Sequence, residues 1–189
     1  MRLLHSAPRR RNPYPLLSRG LEIREIRFGT GLLLARLKDA PRSARGEDAH
    51  YIVGADYRVR YTLDGRQREV IVPQGMLTDL TSVPWFARWL VAKVGKHLEA
   101  VIVHDFLYIA WQDVPGRGAL EEDRAFADDL MLAVMEASGV RAWRARLIHL
   151  AVRLFGGPTY RAPNSPRYLD MTAPEVQAQF SKDAPLKVA

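Results

Sequence analysis

The stretch Tyr57-Arg58-Val59-Arg60-Tyr61-Thr62-Leu63-Asp64-Gly65-Arg66-Gln67-Arg68-Glu69-Val70-Ile71-Val72 carries the clearest fold signal in the chain. Tyr57, Val59 and Tyr61 alternate with Arg58 and Arg60, the period of two that places apolar side chains on one face of a half-buried strand. Asp64-Gly65 supplies the pair of residues that tolerate positive φ, and Glu69–Val72 returns as the partner strand. The spacing predicts an antiparallel hairpin within Tyr51–Val72. Upstream, shorter strands are expected around Leu21–Phe28 and Leu32–Leu37, with the polar stretch Pro41–His50 as a loop.

Downstream of Pro73 the pattern changes from strand to helix. Thr81 or Ser82 suits a helix cap and Pro84 a first turn, where its missing N–H costs nothing. A short helix is therefore expected over Pro84–Val94, carrying Trp85, Phe86, Trp89 and Leu90. A second should span about Lys96–Gln112, ended by Asp113, Pro115 and Gly116. A third should span Leu120–Ser138, with Gly139 just beyond its cap, and a fourth Ala142–Phe155, stopped by Gly156-Gly157-Pro158. On the fourth, Trp143, Leu147, Leu150, Ala151 and Leu154 recur at helical spacing. That stripe is expected to pack on the core with a basic outer face, rather than lie on a membrane. The class is α+β: N-terminal antiparallel hairpins or a small sheet, then a bundle of about four helices.

With 189 residues, 48% hydrophobic and 26% charged, the chain has material for one domain with a real core. Residues 1–20, with Arg9, Arg10, Arg11 and several prolines, read as a basic extended arm; 21–157 as a single α+β domain; 158–189 as an irregular proline-rich tail. Absence of cysteine excludes disulfides, thiolate zinc sites and a cysteine nucleophile. The net charge of +7 favours polyanion contact, yet no nucleic-acid motif accompanies it, so nucleic acid is not the expected partner. Neither a signal peptide nor a transmembrane helix is expected, for want of a sufficiently long apolar run.

The chemistry concentrates in His97-Leu98-Glu99-Ala100-Val101-Ile102-Val103-His104-Asp105-Phe106-Leu107-Tyr108. On a helix His97, His104, Tyr108 and Trp111 fall in one row, with Asp105 turned about 100° from His104. A histidine on an otherwise apolar helix reads as a general base, a metal ligand or a buried hydrogen-bonded side chain. The following helix carries Asp123, Asp128 and Asp129, and its short connection makes it an antiparallel neighbour. A carboxylate there would hold one imidazole nitrogen and leave the other to take a proton. Asp128 shares an inward stripe with Arg124 and Met135, where an unpaired charge would be costly, so Asp128 is the favoured partner. Upstream, the loop Met76–Pro84 has two readings. Asp79, Thr81 or Ser82 caps a helix, or Asp79 and nearby carbonyls join Asp105 around a hard cation such as Ca²⁺.

Thr78-Asp79-Leu80-Thr81-Ser82-Val83-Pro84, then His104-Asp105-Phe106-Leu107-Tyr108, then Arg124, Ala127-Asp128 and Gly139-Val140 stand in one order. Over about residues 50–158, including Ala151-Val152-Arg153-Leu154-Phe155-Gly156, the chain resembles an uncharacterised phage and prophage family, the domain of unknown function numbered thirteen fifty-three. The resemblance implies a phage genome context and no reaction. The basic arm and proline-rich tail suit an assembly protein whose ends order against partners, so synthesis in a bacterial cytoplasm, association with a virion, and other virion or assembly proteins or further copies of the chain as partners are expected. A looser likeness is to secreted phospholipases A2, especially the bacterial type, although this chain lacks their disulfides and a hairpin precedes its helices. That likeness implies His104 as the base that activates water, Asp128 as its orienter and Tyr108 beside them. It also implies Asp105, Asp79 and the Leu80 carbonyl as Ca²⁺ ligands. The expected function is a virion, tail or assembly component with a His-Asp motif. Two alternatives stand beside it: a calcium-dependent envelope lipid or ester hydrolase, for which membrane lipid becomes a partner, and a nucleic-acid-binding accessory protein.

Overall fold

The structure, a computed structural model, describes residues 3–4, 12–16, 22–36, 51–78, 97–162, 168–174 and 176–177. The strands are β1 (Leu3–Leu4), β2 (Ile23–Phe28), β3 (Leu34–Arg36), β4 (Tyr51–Val53), β5 (Tyr57–Leu63), β6 (Arg66–Val72), β7 (Leu77–Thr78) and β8 (Tyr168–Leu169). The helices are α1 (Leu98–Ala110, continued by a tighter turn at Trp111–Asp113), α2 (Glu121–Ala137), α3 (Ala142–Phe155) and α4 (Gly157–Arg161). The fold is α+β, with antiparallel sheets preceding the helices. The helix expected over Pro84–Val94 lies outside the described residues.

The hairpin forms in the register its sequence dictates. β5 pairs with β6 from Tyr57↔Val72 to Leu63↔Arg66. Asp64 (φ 47°) and Gly65 (φ 75°) make the turn, as a two-residue connection matching strand twist requires. Tyr57, Val59, Tyr61 and Leu63 are buried, while Arg58 and Arg60 face outward and pair with Glu69. β2 joins the far side of β5, giving the order β2-β5-β6. A second small sheet has the order β3-β4-β7, and its strand β7 brings Thr78 toward the helices.

Helices α1 and α2 cover the inner face of the β2-β5-β6 sheet. Tyr61 meets Phe126 with ring centres 5.9 Å apart, and Val59, Val70, Ile102, Leu130 and Val134 belong to the same buried cluster. The end of α2 is a Schellman cap: Gly139 adopts φ 77°, its N–H donates to the Glu136 carbonyl, and the Val140 N–H donates to that of Met135.

The structure corrects the reading of α3. Its buried residues are Ala145, Ile148 and Val152, whereas Trp143, Leu147, Leu150 and Leu154 are 55%, 44%, 52% and 64% exposed. The helix is apolar on two nearly opposite faces. The small residues Ala145 and Val152 let the backbone approach α2 closely, which the bulk of Trp143 on the other face would prevent. The described parts of the terminal segments also join the fold. Tyr14 is buried and its hydroxyl donates to the Leu107 carbonyl; β1 pairs with β8; Tyr168 donates to Asp113 at 2.9 Å.

Candidate functional site: a buried aspartate between two helices

Helix α1 is apolar almost throughout, so His104 and Tyr108, one turn apart, are carried inward against α2. Their rings lie 4.0 Å apart centre to centre. Asp128, fully buried on α2, meets both. Its Oδ1 is 2.9 Å from His104 Nε2 and accepts a 2.8 Å hydrogen bond from the Tyr108 hydroxyl. On the other side of the carboxyl, the guanidiniums of Arg124 and Arg153 stand 3.5 and 3.7 Å from Oδ2. Among the described residues Oδ2 accepts no hydrogen bond.

This arrangement is electrostatically coherent. A buried carboxylate is tolerated where cations and donors compensate its lost hydration, and Asp128 has two of each. An ionised carboxylate only accepts, so Nε2 of His104 carries the proton and donates it to Asp128. Nδ1 is then the basic nitrogen, and among the described residues it forms no hydrogen bond. Burial raises the Tyr108 phenol far above its ordinary value, and the Asp128 charge adds to this, so Tyr108 stays a neutral donor. Burial works against the Arg124 cation, but its hydrogen bond to Glu121 and the Asp128 charge outweigh that and raise its pKa.

Asp105, one position beyond His104, is half-buried and turned toward β7, where its Oδ2 accepts a 2.7 Å hydrogen bond from Thr78. The chain continues from Thr78 directly into Asp79 and Leu80, which lie outside the described residues. The structure therefore brings together His104, Tyr108 and Asp128 and sets Asp105 beside them on α1. His97 sits at the N-cap of α1, and Trp111 donates its indole N–H to the Tyr160 carbonyl at 3.0 Å.

Sequence reasoning did not single out Arg153, Thr78 or Gly156 for the site. Arg153 reads as an outer-face arginine until Ile148 and Val152 are known to face inward. Gly156 reads as a helix stop, yet a Cβ there would run into the Tyr108 hydroxyl, so the glycine makes room for the site. Asp123, the other fully buried carboxylate of α2, is held by Arg117 through paired bonds of 2.6 and 2.7 Å. It belongs to a separate cluster with Tyr14, whose ring centre lies 5.2 Å from the Arg117 guanidinium.

Among the described residues no helix is long and apolar enough to cross a membrane. No curated protein and no solved structure matches the chain. A family model does match, over residues 53–152, and that span takes in β5, β6, α1, α2 and nearly all of α3. The chain belongs to the family described as "Protein of unknown function (DUF1353)".

Proposed function

We propose that this protein is a hydrolase of lipid or related envelope esters, with His104 as its general base. The observation that carries the reading is the shared Oδ1 of Asp128, which takes both the His104 Nε2 and the Tyr108 hydroxyl. A base needs one nitrogen fixed and the other without a hydrogen-bond partner: Asp128 holds Nε2, and among the described residues Nδ1 forms no hydrogen bond. In the proposed reaction His104 Nδ1 removes a proton from water as the water oxygen bonds to the ester carbonyl carbon. The ester C–O bond then breaks, and the imidazolium returns the proton to the departing alcohol oxygen. Asp128 and Tyr108 hold the ring in place; Asp128 also stabilises its positive charge. Asp105, with Asp79 and the Leu80 carbonyl, would hold Ca²⁺, which when bound polarises the ester carbonyl.

A phage or prophage origin is part of the same proposal, with the enzyme carried in or on the virion beside other assembly proteins. One observation favours a second reading, in which the protein is a virion or assembly component and the cluster is a buried polar pin: His104 is only 7% exposed.

The test is hydrolysis of dispersed phospholipid and of a soluble ester by the purified protein, with calcium or a chelator, beside His104→Gln and Asp105→Asn. The expected result is calcium-dependent turnover that falls by about 10²-fold or more in His104→Gln while the melting temperature stays close to the parent's. An inactive parent protein whose His104→Gln variant melts much earlier would replace the hydrolase with the pin.

A further inference from the structure

The solvent-facing side of α3 belongs to neither the core nor the His104 cluster. Trp143, Leu147, Leu150 and Leu154 follow one another at spacings of four, three and four residues, so they form a single straight stripe along the helix. Four large apolar side chains in contiguous, roughly half-exposed array are unusual on a soluble surface, where such residues normally occur singly. The flanks are basic: Arg146 and Arg153 border one side of the stripe and Arg144 the other. Between Val140 and Leu169 the sequence has no Asp or Glu. The carboxylates that reach this helix from α2, Asp128 and Asp129, are both paired with Arg153.

We propose that α3 docks the protein on an anionic lipid surface through this stripe. Arg146, exposed beside the stripe, is placed to extend its apolar stem along the acyl boundary and set its guanidinium among phosphate groups. Trp143 suits the same boundary, where an apolar ring with one polar N–H is at home. A second copy of this chain is a poorer occupant, because helix pairing about a two-fold axis would set Arg144 and Arg146 against the same residues of the copy. An acidic amphipathic helix would match the charge. However, a two-stranded seam favours Leu, Ile or Val at the position Trp143 occupies.

Docking does not depend on the chemistry at His104, and it can be tested apart from it. The full chain is sedimented with vesicles of phosphatidylcholine alone and of phosphatidylcholine with phosphatidylglycerol. The protein should pellet with the anionic vesicles, stay in solution with the neutral ones, and release as salt is raised. Leu147→Gln/Leu150→Gln alters only exposed positions and should reduce the partition coefficient about tenfold or more, with the far-ultraviolet dichroism and melting temperature retained. His104→Gln should partition like the parent, which separates failure of docking from failure of the hydrolase. Equal partitioning of parent and double variant would overturn the proposal. So would a parent that ignores anionic vesicles, including one that light scattering finds as a dimer dissociated by the double substitution. That last result would assign the stripe to a second copy.

Discussion

At Gly156 an added Cβ would meet the Tyr108 hydroxyl, and it would lie 2.6 Å from the Val152 carbonyl oxygen. The backbone there is ordinary (φ −74°, ψ −17°), so the constraint is space, not conformation. Gly156→Ala should push Tyr108 off Asp128 and cost roughly 1–3 kcal/mol of stability, read from urea midpoints. In a Tyr108→Phe background the hydroxyl is gone and part of that cost should vanish; strict additivity would mean that the two residues do not meet. The same scale shows what the sequence could and could not reveal. Asp128 was legible because a charge on an inward stripe between Arg124 and Met135 demands a partner. Arg153 and Thr78 were not, since their neighbours come from elements distant in sequence and only tertiary packing supplies them.

The elements were legible wherever one period dominated. In β5 the alternation of aromatic or aliphatic residues with arginine leaves one arrangement in which the apolar side is buried, and the Asp64-Gly65 turn then fixes the register. In α3 the period is clear but occurs twice, as Trp143-Leu147-Leu150-Leu154 and as Ala145-Ile148-Val152. Hydrophobicity alone favours the larger set. The structure buries the smaller one, which permits close approach to α2 and puts Arg153 beside Asp128 and Asp129. The α2–α3 connection depends on the Schellman cap, where Gly139 holds φ 77°. An alanine there adopts the left-handed region only at a cost, so Gly139→Ala should destabilise by about 1–2 kcal/mol, seen as an earlier thermal midpoint. A midpoint equal to the parent's would mean that α2 ends in another way.

Across the whole molecule, the segments that read as an arm and a tail supply buried tyrosines to the core. Tyr14 lies against Leu107 and Arg117, Tyr160 against Tyr108 and Trp111, and Tyr57, Tyr61 and Tyr108 complete a set that spans sheet and helices. Burial is the first cause of a raised pKa at all of these, which pushes Tyr61 up to about 12 and the others further. In the unfolded chain each phenol titrates near its ordinary value of about 10. Below that pH both states are protonated and the stability is complete. As pH rises through it, the unfolded state loses protons that the folded state keeps, so each such tyrosine subtracts up to about 1.4 kcal/mol per pH unit. Since the deficits add, the protein should lose stability steeply just above pH 10 and unfold cooperatively. Tyrosinate absorbance and far-ultraviolet dichroism should then change together. Tyr61→Phe removes one titrating group from the set and should make the decline shallower. Tyrosinate appearing gradually with the dichroism unchanged would mean that these phenols reach solvent in the native state, and that Tyr14 and Tyr160 are not closed into the core beside the helices.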